Sequence, residues 1–167
     1  SPRQINSARQ RIPETQKNRF HFEEGCFLQL PAERFKADFS YSIEAFTHCP
    51  DPGIFFGVQA GVLPPAGRLA VIDDCLNDEM HTGALPARHV RLLGSYRRNW
   101  LLPGLRGRAA LKSIAEEKGF HLIKDQDLPP YLRLGRPRDK AISVLVRLLG
   151  PLMERDAYLR CLLGGDA

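Results

Sequence analysis

Nowhere in this sequence do two cysteines stand as Cys-x-x-Cys. Cys26, Cys49, Cys75 and Cys161 are far apart, which argues against a zinc site or a disulfide framework and for reduced thiols. No apolar run approaches the roughly 20 residues that span a bilayer, and the opening Ser1-Pro2-Arg3-Gln4 has none of the marks of a secretory leader. A cytoplasmic protein with no membrane partner is therefore expected. Internal repeats and low-complexity tracts are absent as well.

A recognisable nucleic-acid motif is also missing. The formal charge is +5, yet the basic residues are spread along the chain, and the densest stretch, Arg88 to Arg108, sets six arginines among bulky apolar residues. A solvated face or a lid over a charged ligand suits that stretch better than a nucleic-acid surface, so no nucleic-acid partner is expected. What the chain does have is size and apolar content. With 167 residues, 43% of them hydrophobic, it can build one domain around a sizeable core.

Its centre reads as one βαβ crossover. Ala37 to Ile43 is apolar enough for a buried strand, and Pro50-Asp51-Pro52 restarts the chain as a helix. Pro64-Pro65-Ala66-Gly67 stops that helix, and Leu69-Ala70-Val71-Ile72 makes a second strand. In open α/β sheets ligands collect beyond the carboxyl ends of the strands, where Glu44, His48, Asp73 and Asp74 fall. Before this crossover, Ser1 and Pro2 begin a helix to about Arg11, and Arg19-Phe20-His21-Phe22-Glu23 alternates like a strand. After it, Cys75 to Gly83 suits a site loop, Pro86 to Trp100 and Arg106 to Lys118 suit helices, and Phe120 to Asp125 suits a strand. Pro137 to Leu149 and Leu152 to Leu163 return to helical spacing.

Several segments, in order, resemble the second half of a class I S-adenosylmethionine-dependent methyltransferase of the small-molecule group, which includes sterol, tocopherol and sarcosine or dimethylglycine methyltransferases. Ser1-Pro2-Arg3-Gln4 with Ala8-Arg9 is similar to the helix after the family's second strand. Phe22-Glu23-Glu24-Gly25-Cys26-Phe27 with Leu30-Pro31 is similar to its third strand and exit loop. Ser42-Ile43-Glu44-Ala45-Phe46-Thr47-His48 with Pro50-Asp51-Pro52 resembles the fourth strand and site loop, and Val62 to Leu69 the turn into the fifth. Glu116-Glu117-Lys118-Gly119-Phe120 with Asp127-Leu128 resembles the helix and strand beyond.

The resemblance implies a partial Rossmann-like methyltransferase sheet, an α/β fold in three αβα layers, with a helical insertion and C-terminal helices. Residues 1–79 and 106–132 would be the sheet-and-helix core, 80–105 a lid-like helical insertion and 133–167 the C-terminal helices of one partial domain. It implies S-adenosyl-L-methionine as cofactor and methyl transfer to a small organic acceptor. Glu44 and His48 would stand at the acceptor, and Cys26, Phe27, Ser42 and Ile43 near the cofactor. The family's glycine-rich loop and final strand are lacking, and Cys26, a poor acceptor, stands where the family has Asp. Cofactor binding by this chain alone is therefore expected to be weak. A non-catalytic methyltransferase-like assembly or regulatory partner is the alternative.

Read without the resemblance, the same residues keep bland alternatives. His48 is a base or a loop histidine bonded to local backbone, and Glu44 orients an acceptor or sits as a carboxylate near helix-start amides. Cys26 and Phe27 read as ordinary core residues. Asp73 and Asp74 contact substrate, tune a neighbour's pKa, or are simply solvated. Asp78, Glu79, His81 and His89 fit no recognised metal-ligand spacing, and Tyr96 and Trp100 on one helical face read as core. Without the strands that flank them in the family, the strands near Phe20 and Leu122 lose their neighbours, and only those near Phe39 and Val71 stay paired. Self-association or a complementing chain is the expected response.

Overall fold

The protein is described by a computed structural model covering residues 1–78, 85–131, 135–141 and 144–145. The expected helix over Leu152–Leu163 lies outside the described residues, as do Glu79, His81 and Cys161. Pro2 occupies the first turn of α1 (Pro2–Arg11), where its missing N–H costs nothing. The chain then makes a 3-10 turn over Glu14–Arg19 and reaches the central crossover through two turns, closed by hydrogen bonds from the Gln29 N–H to the Cys26 carbonyl and from the Arg34 N–H to the Pro31 carbonyl.

The crossover has the expected order, β1 (Phe39–Ile43), α2 (Pro52–Val62) and β2 (Arg68–Ile72), but β1, expected to be buried, has an exposed face because no layer among the described residues covers it. The strands pair in parallel, with Phe39 opposite Arg68 and Ile43 opposite Ile72. Asp51 caps α2 by accepting from the Gly53 N–H at 2.8 Å, and Pro52 follows at the first helical position. The helix stops in a turn closed by a 2.7 Å hydrogen bond from the Gly67 N–H to the Pro64 carbonyl. A Cβ at Gly67 would stand 2.9 Å from that carbonyl, so the turn requires glycine's small size.

Alternation along β1 decides the layers. Ser40 and Ser42 face α2, and the Ser40 hydroxyl donates to the buried Gln59 of α2 at 2.7 Å. Phe39, Tyr41 and Ile43 face the other way and are exposed, Tyr41 by 67%, with the Phe39 and Tyr41 rings stacked. The core lies on the α2 side, where Phe46, Cys49, Phe55 and Phe56 are buried. Phe27, Leu69, Phe120 and the Leu111, Ile114 and Ala115 face of α4 (Arg108–Glu117) pack around them. A second cluster joins Leu76, Leu102 and Leu105 to Leu93 of α3 (Ala87–Asn99). Leu76 also clasps the start of α4: its N–H donates to the Arg106 carbonyl at 2.9 Å, and its own carbonyl accepts from the Arg108 N–H at 3.3 Å.

Two expectations need correction. Arg19–Glu23 and Phe120–Asp125 form no ladder among the described residues, because neither finds a strand beside it. The expected three-layer sheet is, among the described residues, a parallel pair covered by helix on one face. No helix among the described residues is long and apolar enough to cross a membrane.

Candidate active site

The carboxyl end of the sheet is where the chain departs from regular geometry. Leaving β1, Glu44 takes a φ of +48°, a left-handed conformation that side chains seldom adopt, while its N–H still donates to the Ile72 carbonyl at 2.9 Å. The ladder thus runs one residue past the strand, and the turn throws the Glu44 side chain into solvent. A 3-10 turn over Phe46–His48 follows, with Phe46 and Thr47 buried and His48 exposed.

Thr47 ties this turn to its surroundings. Its N–H donates to Oδ2 of Asp73 at 3.2 Å and its hydroxyl to Oδ1 at 2.7 Å. Its carbonyl accepts from the Gly104 N–H at 2.9 Å. That approach is close enough that a Cβ on Gly104 would lie 2.1 Å from the Cys49 carbonyl oxygen, so only glycine fits.

His48 is held through its ring: Nδ1 lies 2.9 Å from the carbonyl oxygen of Leu101, whose own φ is +52°. A carbonyl oxygen can only accept, so the neutral imidazole carries its proton on Nδ1 and leaves Nε2 as the basic nitrogen. The sequence offered both a base and a backbone-bonded loop histidine, and the geometry makes His48 backbone-bonded at one nitrogen and free at the other.

The next two carboxylates are committed differently. Asp73 serves Thr47 and also accepts from the Asp74 N–H at 2.8 Å, whereas Asp74 accepts from the Tyr96 hydroxyl of α3. Tyr96 ionises late: partial burial, then the Asp74 carboxylate, pushes its phenol up to about 12, with Asp73 and Glu44 adding to the effect. Glu44, Asp73, Asp74 and Tyr96 therefore share one electrostatic neighbourhood. Tyr96 remains 38% exposed and Trp100, its ring 6.4 Å away, 65% exposed, so these two aromatics are surface rather than core.

The remaining candidates are dispersed. Ser42 is half-buried toward α2 and Ile43 exposed on the opposite face of the same strand end. Cys26 is exposed, and Phe27 is partly buried, meeting Phe55 edge-to-face at 6.0 Å. Cys49 is fully buried, donates to the Asp51 carbonyl at 2.9 Å and has its thiol pushed up by burial. Asp78 accepts from the Ala109 N–H at 2.9 Å and so caps α4 from a distance. Among the described residues no three His, Cys, Asp or Glu side chains gather as metal ligands.

Thr47, Leu101 and Gly104 escaped the sequence reading. Pro103-Gly104 interrupts the helical spacing between the two expected helices, but nothing in that break points to Thr47.

No family model matches this chain. Among curated proteins it is 35% identical to the 24-methylenesterol C-methyltransferase 2 of Oryza sativa subsp. japonica over 133 residues, covering 75% of this chain and 36% of that protein. The protein of the same name from Arabidopsis thaliana is 33% identical over the same shares. Rice cycloartenol-C-24-methyltransferase 1 is 29% identical over 80% of this chain and 40% of its own length. The chain belongs to the class I S-adenosylmethionine-dependent methyltransferases. It spans less than half of the length of these relatives. Within this chain the candidate residues that stand closest together are at the ends of β1 and β2.

Proposed function

We propose that this chain carries the acceptor side of an S-adenosylmethionine-dependent methyl transfer to a small organic acceptor. Glu44 and His48 face the acceptor, and Cys26, Phe27, Ser42 and Ile43 flank the cofactor. The observation that supports this most directly is the anchoring of His48 at Nδ1 by the Leu101 carbonyl, which presents Nε2 as a base at the carboxyl end of the sheet. Methyl transfer from a sulfonium is an in-line displacement, so the protein's work is to align the acceptor and remove its proton where it carries one. His48 takes the proton on Nε2, and Glu44 orients the acceptor from the same strand exit.

S-adenosylmethionine, when bound, supplies the electrophilic methyl group. The residues present fit its adenine by apolar contact at Phe27, whose ring is only partly buried, and offer an exposed thiol at Cys26 in place of a carboxylate. Affinity of this chain alone is expected to be weaker than micromolar, which calorimetry with S-adenosylmethionine checks.

The names of the relatives make an unsaturated sterol carbon the first acceptor to try. The test is a chimera in which this chain replaces the matching 133 residues of the rice 24-methylenesterol enzyme. Transfer of labelled methyl that is lost on Glu44→Gln and on His48→Gln supports the reading, and transfer indifferent to both substitutions refutes it.

One observation favours a second component. The exposed Phe39, Tyr41, Ile43 and Ile72 supply an apolar face that another copy or a complementing chain covers. A strictly monomeric chain over the accessible concentration range in light scattering, unaltered by added relatives, counts against it.

A further inference from the structure

Three residues, Phe46–His48, make too short a turn to set their own orientation. Inside it the backbone closes only two hydrogen bonds, His48 N–H to the Ala45 carbonyl at 3.3 Å and Cys49 N–H to the Phe46 carbonyl at 2.9 Å. Its direction is imposed from outside, and Thr47 transmits it. Every polar group of Thr47 is used: N–H and hydroxyl on the two oxygens of Asp73, and carbonyl on Gly104. At 1% exposure, Thr47 leaves water no competing access. Hydrogen bonds to a carboxylate are also stronger than neutral ones.

We infer that Asp73 is a positioning residue: acting through Thr47, it holds the turn in the one orientation in which the His48 imidazole meets the Leu101 carbonyl. It thereby fixes the tautomer with the proton on Nδ1 and Nε2 free. This inference rests on the proposed role of His48. The turn is tied on two sides, to the end of β2 through Asp73 and to the Leu101–Gly104 loop through Thr47 and His48. Without the first tie, the turn hangs on the loop by the Gly104–Thr47 hydrogen bond and turns about it, which carries the His48 ring away from Leu101. The imidazole then exchanges the Leu101 carbonyl for water, where the proton sits mainly on Nε2. The nitrogen that should accept a proton becomes the one that already holds it.

The test is nitrogen NMR of the full chain labelled with 15N-histidine at a pH where imidazoles are neutral. In the natural sequence His48 shows the Nδ1–H tautomer, and Thr47→Ser, which keeps the hydroxyl, preserves it. Asp73→Ala and Thr47→Val shift His48 to a majority of the Nε2–H form, while His21, His89 and His121 are unchanged. A purely structural role for Asp73 lowers the denaturation midpoint and leaves the tautomer alone; an unshifted tautomer in either folded variant therefore overturns the inference. Should Asp73→Ala not fold, Thr47→Val, nearly isosteric, gives the reading. Should neither fold, the natural chain decides: an Nε2–H tautomer at His48 or a rapidly exchanging Thr47 amide overturns the inference, and Nδ1–H with slow exchange supports it.

The readout needs neither cofactor nor acceptor. A shifted tautomer in the variants with no methyl transfer by the chimera refutes the proposed function alone. His48-dependent transfer with an unshifted tautomer refutes this inference alone.

Discussion

The hydroxyl of Thr47 and the carboxylate of Asp73, 26 residues apart in sequence, meet at 2.7 Å across the carboxyl end of the sheet. Because Thr47 is buried, replacing it with Val leaves Asp73 short of a partner while the side chain keeps its volume. Thr47→Val is expected to lower stability by about 2 kcal/mol, within the range for a buried hydrogen bond to a charged group. Urea titration of both proteins checks it; midpoints that coincide would mean water replaces the hydroxyl without penalty.

Two glycines should respond with opposite sign. At Gly104 an added methyl collides with backbone, the Cys49 carbonyl at 2.1 Å, and backbone cannot rotate away. Gly104→Ala is expected to cost roughly 3 kcal/mol, at the upper end for overpacking. At Gly57, exposed inside α2, an added Cβ meets nothing within 4 Å. Gly57→Ala should therefore raise stability by about 0.5–1 kcal/mol through helix propensity. Thermal melts of the pair that moved in the same direction would contradict the backbone packing described around the Phe46–His48 turn.

Tyr96 gives a prediction for alkaline pH. Its phenol is pushed to about 12 in the fold, against roughly 10 in an unfolded chain. A raised folded value favours the protonated form, so the stabilising contact with Asp74 is fully present below about pH 10 and is lost as pH rises through about 12. Ultraviolet titration, with Tyr96→Phe subtracted, should show this late ionisation, and Asp74→Asn should bring it earlier. An ordinary titration curve for Tyr96 would show that its hydroxyl does not meet Asp74 in solution.

The open face of the sheet calls for substitutions in the other direction. Tyr41→Lys and Ile43→Lys alter side chains that lie in solvent, so each should change stability by no more than about 0.5 kcal/mol. Binding of an apolar fluorescent dye should fall in both. The small effect on stability holds for the isolated chain at low concentration; destabilisation that appears only where the chain self-associates, or when a complementing chain is added, is the result the proposed second component requires.

Much of the crossover could be read from local chemistry alone. Pro2 and Pro52 mark helix starts because a missing N–H is tolerated there, and Gly67 marks a turn that a side chain would clash with. The strands at Phe39 and Arg68 follow from apolar runs beside that turn. Phe20 and Leu122 show where local pattern runs out. Alternation can suggest an extended backbone, but a strand also needs a neighbour, and none is paired with either among the described residues.

The site divides the same way. Glu44 and His48 could be placed at a strand exit from spacing, whereas the partner of His48 is a carbonyl 53 residues away. A backbone oxygen has no residue identity to read, so no inspection of composition would single out Leu101. Gly104 is similar: its need to be glycine comes from Cys49, a contact made only once the chain has folded.

Leu76 receives one backbone hydrogen bond from Arg108 at the start of α4 and gives another to Arg106 two residues earlier, so the passage between Leu76 and Arg106 departs and comes back at a single point. The entropy of closing such a detour grows only slowly with its length. Length could be added or removed ahead of Leu101 with α2, α4 and the ties of Leu101 and Gly104 to the Phe46–His48 turn left in place, so the stretch around Tyr96 and Trp100 is open to exchange at the cost of the Tyr96 contact with Asp74.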